Sequence, residues 1–162
     1  MKQLEFLDER SREDVLAIDQ NRTPMAILLD GLEDMINIGS IFRLADSLRL
    51  EKIYFYQNSL DLTHKKLNKV ARSTNKYTAY QEVGFEDIEE LMTTYEIVVI
   101  DKTSESIDYK NYQKQSEKPL LFVLGNEKNG VSDQLLKLVN NSIHLPMLGV
   151  NTSMNVAMAG GI

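Results

Sequence analysis

Five short runs of apolar residues, rich in β-branched and aromatic side chains, recur along this chain, with longer segments of helical periodicity between them. The runs are MAILLD (25–30), KIYFY (52–56), EIVVID (96–101), PLLFVLG (119–125) and SIHLP (142–146). Helical patterns fall at about 38–48, 64–72, 85–94 and 132–139, with a last one from about 153. Strands this short and this uniformly apolar need cover on both faces. The alternation therefore predicts an α/β fold, a mostly parallel sheet with helices on both faces.

At 162 residues the chain suits a single domain, 1–162, with a core large enough to need no covalent staples. Residues 1–22, with Leu4, Leu7, Val15 and Ile18 set among many charges, read as an N-terminal helical extension lying over that domain. Residues 102–118 are polar and read as the longest loop. The absence of Cys excludes a disulfide framework, a thiol nucleophile and a thiolate metal site. The two histidines, His64 and His144, lie far apart, so no transition-metal site is expected; His144, within an apolar run, reads as packed or surface. No apolar run approaches the roughly 18 residues that span a bilayer, and a cytoplasmic protein is the expectation.

A formal charge of −6 argues against a protein that simply coats nucleic acid. The charge is uneven, however. Residues 64–77 hold Lys65, Lys66, Lys69, Arg72 and Lys76 with no acid among them, while Glu and Asp dominate 82–108. Such a patch is either a solvated helix face or a local phosphate contact.

Ligands of parallel α/β sheets sit beyond the carboxyl ends of the strands, so the loops there carry the chemistry. Three of them combine Gly with short polar residues: DGLEDMINIGS, LGNEKNGVS and LPMLGVNTSMN. GNEKNG has the outline of a phosphate loop but lacks its Lys and hydroxyl pair, and no GxGxxG follows any strand. A Gly-rich turn with Ser132 capping the next helix and Asp133 in its first turn accounts for that loop, except for Glu127. Thr152 or Ser153 would cap the last helix. Asn155 would lie inside it, a poor position for Asn unless its side chain meets something. In NIGSIFRLAD (37–46), Arg43 follows Gly39 by one turn and could pair with Asp46 on the surface, or reach over Gly39 into a pocket at a strand end.

Taken in order, NIGSIFRLAD, LFVLGNEKNGVS, HLPM and TSMNVAMAGGI resemble the signature motifs of the SpoU/TrmH family of SPOUT RNA 2′-O-ribose methyltransferases, and KVARSTNKY is similar to the family too. The resemblance runs from about residue 24 to the end. It implies a SPOUT fold with a C-terminal trefoil knot in 120–162, a homodimer, and S-adenosyl-L-methionine as cofactor. It implies cofactor contacts at Thr103, Gly125, Leu145, Met147, Ser153 and Met154. Arg43 matches the family's catalytic arginine, with Asn37, Glu127, Ser153 and Asn155 as the polar set around it. The implied substrate is a structured RNA, tRNA or rRNA, gripped by Arg43 and by the patch of Lys65, Lys66, Lys69, Arg72 and Lys76; neither metal nor membrane is implied.

Two departures stand out. Leu48 and Arg49 replace a Phe-Gly helix stop, and the last helix is cut short against the family pattern, which would weaken the dimer or mark a fragment. The rival readings are an RNA-binding protein of the same fold without catalysis, and an unrelated α/β enzyme acting on a nucleotide-like metabolite.

Overall fold

A computed structural model of the chain describes residues 21–162. The helix expected over the first twenty residues lies outside the described residues. Seven parallel strands form one sheet: β1 (Met25–Asp30), β2 (Ile53–Tyr56), β3 (Tyr80–Val83), β4 (Glu96–Ile100), β5 (Ile107–Asp108), β6 (Leu120–Leu124) and β7 (Ser142–His144). Their spatial order is β3-β2-β1-β6-β4-β7-β5. The chain thus completes β4 before it returns to insert β6 between β1 and β4. Among the described residues five helices accompany them: α1 (Met35–Ser47), α2 (Lys65–Ala71), α3 (Phe85–Thr94), α4 (Asp133–Leu138) and α5 (Val156–Ala159).

Side chains of successive strand residues point to opposite faces, and both faces of this sheet are covered. Ala26 and Leu28 of β1 join Val123, Ile88 and Leu135 in one core; Ile27 and Leu29 join Phe42, Phe55 and Leu67 in the other. Burying each of the larger side chains contributes roughly 1.5–3 kcal/mol, so the two cores together hold the sheet.

The two strands that the apolar pattern does not mark, β3 and β5, are the two edges of the sheet. In β3 only Val83 is buried, and β5 has two residues, neither of them buried. An edge strand with one wet face has no continuous apolar run to read. The polar stretch 102–118 accordingly holds β5 and a short 3₁₀ turn, Tyr109–Asn111.

Helix α1 begins three residues before the apolar pattern does, because the Asp34 carboxylate accepts the Ile36 N–H at 2.8 Å and caps it. It ends with Arg49 N–H on the Asp46 carbonyl and Leu50 N–H on the Ala45 carbonyl, the paired bonds of a Schellman stop. Arg49 takes the left-handed position of that stop, φ 53°, where Gly is the usual residue. Gly39 faces α2: a Cβ there would lie 2.9 Å from the Leu67 carbonyl oxygen and 3.0 Å from Val70 Cβ. The space above Gly39 is therefore filled by a helix, which corrects the expectation that Arg43 reaches over it into a pocket.

Helix α5 starts at Val156, later than the pattern suggests, and its cap is Asn155, not Thr152 or Ser153. Asn155 Oδ1 accepts from the Ala157 and Met158 N–H groups at 3.0 and 3.2 Å. Ser132 does stand at the N-cap position of α4, but its side chain makes no capping bond.

Candidate active site

Glu127, which no turn chemistry explained, is the centre of a hydrogen-bonded chain linking all three polar loops. Its carboxylate accepts from the Glu33 N–H (3.3 Å), the Asp34 N–H (3.2 Å) and Asn37 Nδ2 (2.9 Å). Burial acts to raise the Glu127 carboxyl, but these donors outweigh it and leave it below its ordinary value. Asn37, itself buried, turns its Oδ1 to Asn155 Nδ2 at 2.9 Å. One side chain after β1, one after β6 and one at the cap of α5 are thereby fixed to each other.

Beside this chain opens a cleft of about 980 Å³, beyond the carboxyl ends of β4 and β6. Asn37, Thr103, Gly125, Glu127, Ser153, Met154 and Asn155 line it. Leu145 and Met147, half-buried in the segment after β7, are not among its lining residues. Thr103 is anchored by its hydroxyl to Ser142 Oγ at 3.0 Å, and its N–H donates to Ser106 Oγ at 3.1 Å. His144 packs against the same turn, with Nδ1 3.0 Å from Ser106 Oγ.

Gly125 serves a close approach, though of the loop to itself: a Cβ would come within 2.2 Å of the Gly130 carbonyl carbon. Asn126 and Gly130 exchange two backbone bonds of 2.9 Å, closing the turn. The cleft is lined by four carboxylates, Asp34, Asp101, Glu127 and Asp133, against two lysines, Lys102 and Lys128. That balance suits a ligand carrying positive charge, and the exposed backbone of two turns offers donors and acceptors to an adenine edge.

Arg43 is exposed on α1 and does not line the cleft. Among the described residues its guanidinium has no hydrogen-bond or ion-pair partner, Asp46 included. Lys65, Lys66, Lys69, Arg72 and Lys76 are likewise exposed, on α2 and the turn after it. Because α2 packs onto α1 at Gly39, the basic patch neighbours the helix that carries Arg43.

Three residues of the site escaped the sequence reading. Asp30 and Asp101, at the ends of β1 and β4, receive backbone N–H groups of the turn after β6, and Asn126 Nδ2 donates to the Gly31 carbonyl at 2.7 Å. The available signal was that MAILLD and EIVVID both close on an acid.

A doubly covered parallel sheet with a polar, acid-rich cleft beyond its carboxyl edge is the layout of an α/β ligand-binding enzyme domain. The chain belongs to the SpoU rRNA Methylase family, whose profile matches residues 24–162. Among curated proteins it is 23% identical over 150 residues to the tRNA (guanosine(18)-2'-O)-methyltransferase of Aquifex aeolicus (strain VF5), covering 90% of this chain and 69% of that one. It is 27% identical over 157 residues to the 23S rRNA (guanosine-2'-O-)-methyltransferase RlmB of Photorhabdus laumondii, covering 95% of this chain and 62% of that one. In fold it is similar to the A. aeolicus TrmH/SpoU tRNA modifying enzyme, with TM-score 0.75, 22% identity, and coverage of 92% of this chain and 78% of that one. It is also similar to an AdoMet-bound rRNA methyltransferase from Sinorhizobium meliloti, with TM-score 0.77, 22% identity, and coverage of 89% and 56%.

Proposed function

We propose that this chain is an RNA 2′-O-ribose methyltransferase that uses S-adenosyl-L-methionine to methylate a ribose of tRNA or rRNA. The observation that carries the reading is the Glu127–Asn37–Asn155 chain, which joins the three family motifs at the rim of the cleft. Membership of the family and the names of the relatives support the reaction class.

Thr103, Gly125, Ser153 and Met154 would hold the cofactor in the cleft, with the surrounding carboxylates favouring its positive charge. Leu145 and Met147 belong to this proposal as contacts from the neighbouring segment. When bound, S-adenosyl-L-methionine supplies an activated methyl group. The protein's own work is positioning and charge.

A guanidinium keeps its proton too tightly to act readily as a base. Arg43, exposed and unpaired among the described residues, instead suits a bidentate grip on the phosphate beside the target ribose. There it would also steady negative charge growing on the 2′-oxygen. The exposed basic patch of α2, on the neighbouring helix, suits further phosphates of a structured RNA.

The protein acts as a homodimer in this reading, since Leu148, Val150, Met158 and Ile162 leave apolar surface exposed around the C-terminal segment. The knot implied for 120–162 and a cytoplasmic location belong to the same reading. Among the described residues, no helix is long and apolar enough to cross a membrane. An RNA binder without catalysis has no use for a charged residue held by three donors next to a ligand-sized cleft.

Incubation with total tRNA and rRNA and labelled cofactor, followed by mapping of 2′-O-methyl sites, tests the proposal. Label at a defined ribose is expected. Cofactor binding with no transfer to any RNA would favour the non-catalytic reading.

A further inference from the structure

The turn after β6 forms one wall of the cleft, and it is held from both sides. Its neighbours in the sheet are β1 and β4, and each delivers one carboxylate to it. Asp30, the last residue of β1, accepts the Ser132 N–H on Oδ2 at 2.6 Å. Asp101, directly after β4, accepts the Val131 N–H on Oδ2 at 2.9 Å, while its Oδ1 takes the Lys102 N–H at 2.7 Å.

Two further features show how closely the turn is built around these acids. Gly130 has φ +70°, and a Cβ on it would fall 2.4 Å from Asp101 Oδ2, so the acid occupies the space that a side chain would need. Asp30 is 2% exposed, and burial raises its carboxyl above the ordinary value although its bonding to Ser132 acts to lower it. Burying a carboxylate is costly unless its hydrogen bonds return the energy.

We infer that Asp30 and Asp101 are positioning residues, a pair of carboxylates from the strands flanking β6 that clamp the Gly125–Ser132 turn in the shape the cofactor meets. The inference rests on the S-adenosyl-L-methionine reading above. The two N–H groups are consecutive in the chain, so holding both fixes the direction in which the backbone leaves the turn. With one released, the turn keeps its own Asn126–Gly130 bonds and the tie of Asn126 to Gly31, but loses one of the two carboxylate anchors that orient its exit. Cofactor affinity then falls, whereas the sheet, whose cores lie deeper, remains folded.

The test uses the full chain with the variants Asp101→Ala and Asp30→Asn. The second keeps an acceptor oxygen and guards against loss of folding in the buried position. Cofactor affinity by calorimetry is expected to weaken about tenfold in Asp101→Ala, the effect of losing one charge-assisted hydrogen bond. KM for the cofactor should rise by more than kcat falls, and the thermal midpoint should move little. Amide exchange of Val131 and Ser132, measured without cofactor, should quicken in the variants ahead of the rest of the sheet.

Unchanged affinity in Asp101→Ala, or a loss of affinity matched by general unfolding, overturns the clamp. If the wild type binds no S-adenosyl-L-methionine, the functional reading falls and the cofactor role of the clamp with it. If the wild type binds but Val131 and Ser132 exchange as freely as open loops, the clamp alone is overturned.

Discussion

The Asn37 side-chain amide donates to Glu127 Oε1 at 2.9 Å, joining residues 90 apart in sequence. The same side chain accepts from Asn155, so its removal frees the cap of α5 from the other two loops and leaves Glu127 tied to the loop after β1 only through the Glu33 and Asp34 N–H groups. Asn37→Ala should slow methyl transfer by about ten- to a hundredfold, because small displacements of reacting groups cost rates of that order. Asn37→Asp sets a second carboxylate against Glu127 and should be slower still. Transfer assays with far-UV circular dichroism as a folding control check both; an Asp variant as active as wild type would show that the amide is not needed as a donor.

The Arg43 side chain makes no hydrogen bond or ion pair with a described residue and is exposed, so its loss should leave the fold alone. Arg43→Ala should abolish transfer while cofactor affinity stays within about twofold, since surface substitutions without partners usually change stability by no more than roughly 0.5 kcal/mol. Calorimetry and single-turnover assays separate the two effects. Retained turnover would remove Arg43 from the reaction.

Gly39 lets α1 and α2 touch. Gly39→Ala would gain about 1 kcal/mol of helix propensity, but its methyl meets the Leu67 carbonyl oxygen at 2.9 Å, a contact that forces the helices apart. Overpacking of this kind costs about 1–3 kcal/mol, so the balance should be destabilising. A lower urea midpoint is expected.

Arg49 pays for the left-handed turn at the end of α1 with an unfavourable backbone geometry, φ 53°. Arg49→Gly should stabilise the protein by about 0.5–1 kcal/mol, because Gly adopts that region freely and is the usual C′ residue. Denaturant titration at unchanged slope is the measurement. No gain would mean that the Arg49 side chain compensates elsewhere.

At the opposite end of the sheet Glu96 accepts from Ser116 Oγ (2.6 Å), Ser116 N–H (2.7 Å), Gln115 N–H (2.8 Å) and the Tyr112 hydroxyl. Burial acts to raise its carboxyl, yet the bonds from Ser116, Tyr112 and Gln115 outweigh it and bring it down to about 2 from 4.5. The folded form therefore holds the proton less tightly than the unfolded one. Its stabilising contribution is complete above the ordinary value of 4.5 and is lost as pH falls from there toward about 2. Urea midpoints measured across that window should fall, and Glu96→Gln should flatten the fall.

The strands with two covered faces were legible because burial on both sides writes an unbroken apolar run. The edges β3 and β5 were not, since a wet face interrupts the run and leaves nothing periodic over so few residues. The cap of the last helix, expected at Thr152 or Ser153 with Asn155 inside the helix, is Asn155. Only Asn155 presents its Oδ1 to the free N–H groups of α5 while its amide reaches Asn37, and no local pattern distinguishes that geometry.

By itself the sequence determined the doubly covered strands, the helices between them and, through three ordered motifs, the family, because these are properties of short segments whose periodicity or residue identity is local. Tertiary structure alone decided that β6 would enter between β1 and β4. Parallel strands offer nearly the same backbone donors and acceptors to any neighbour, so their order is chosen by how the helices cover both faces. That order is what brings Asp30 and Asp101 to either side of one turn, and sets Glu127 within reach of Asn37.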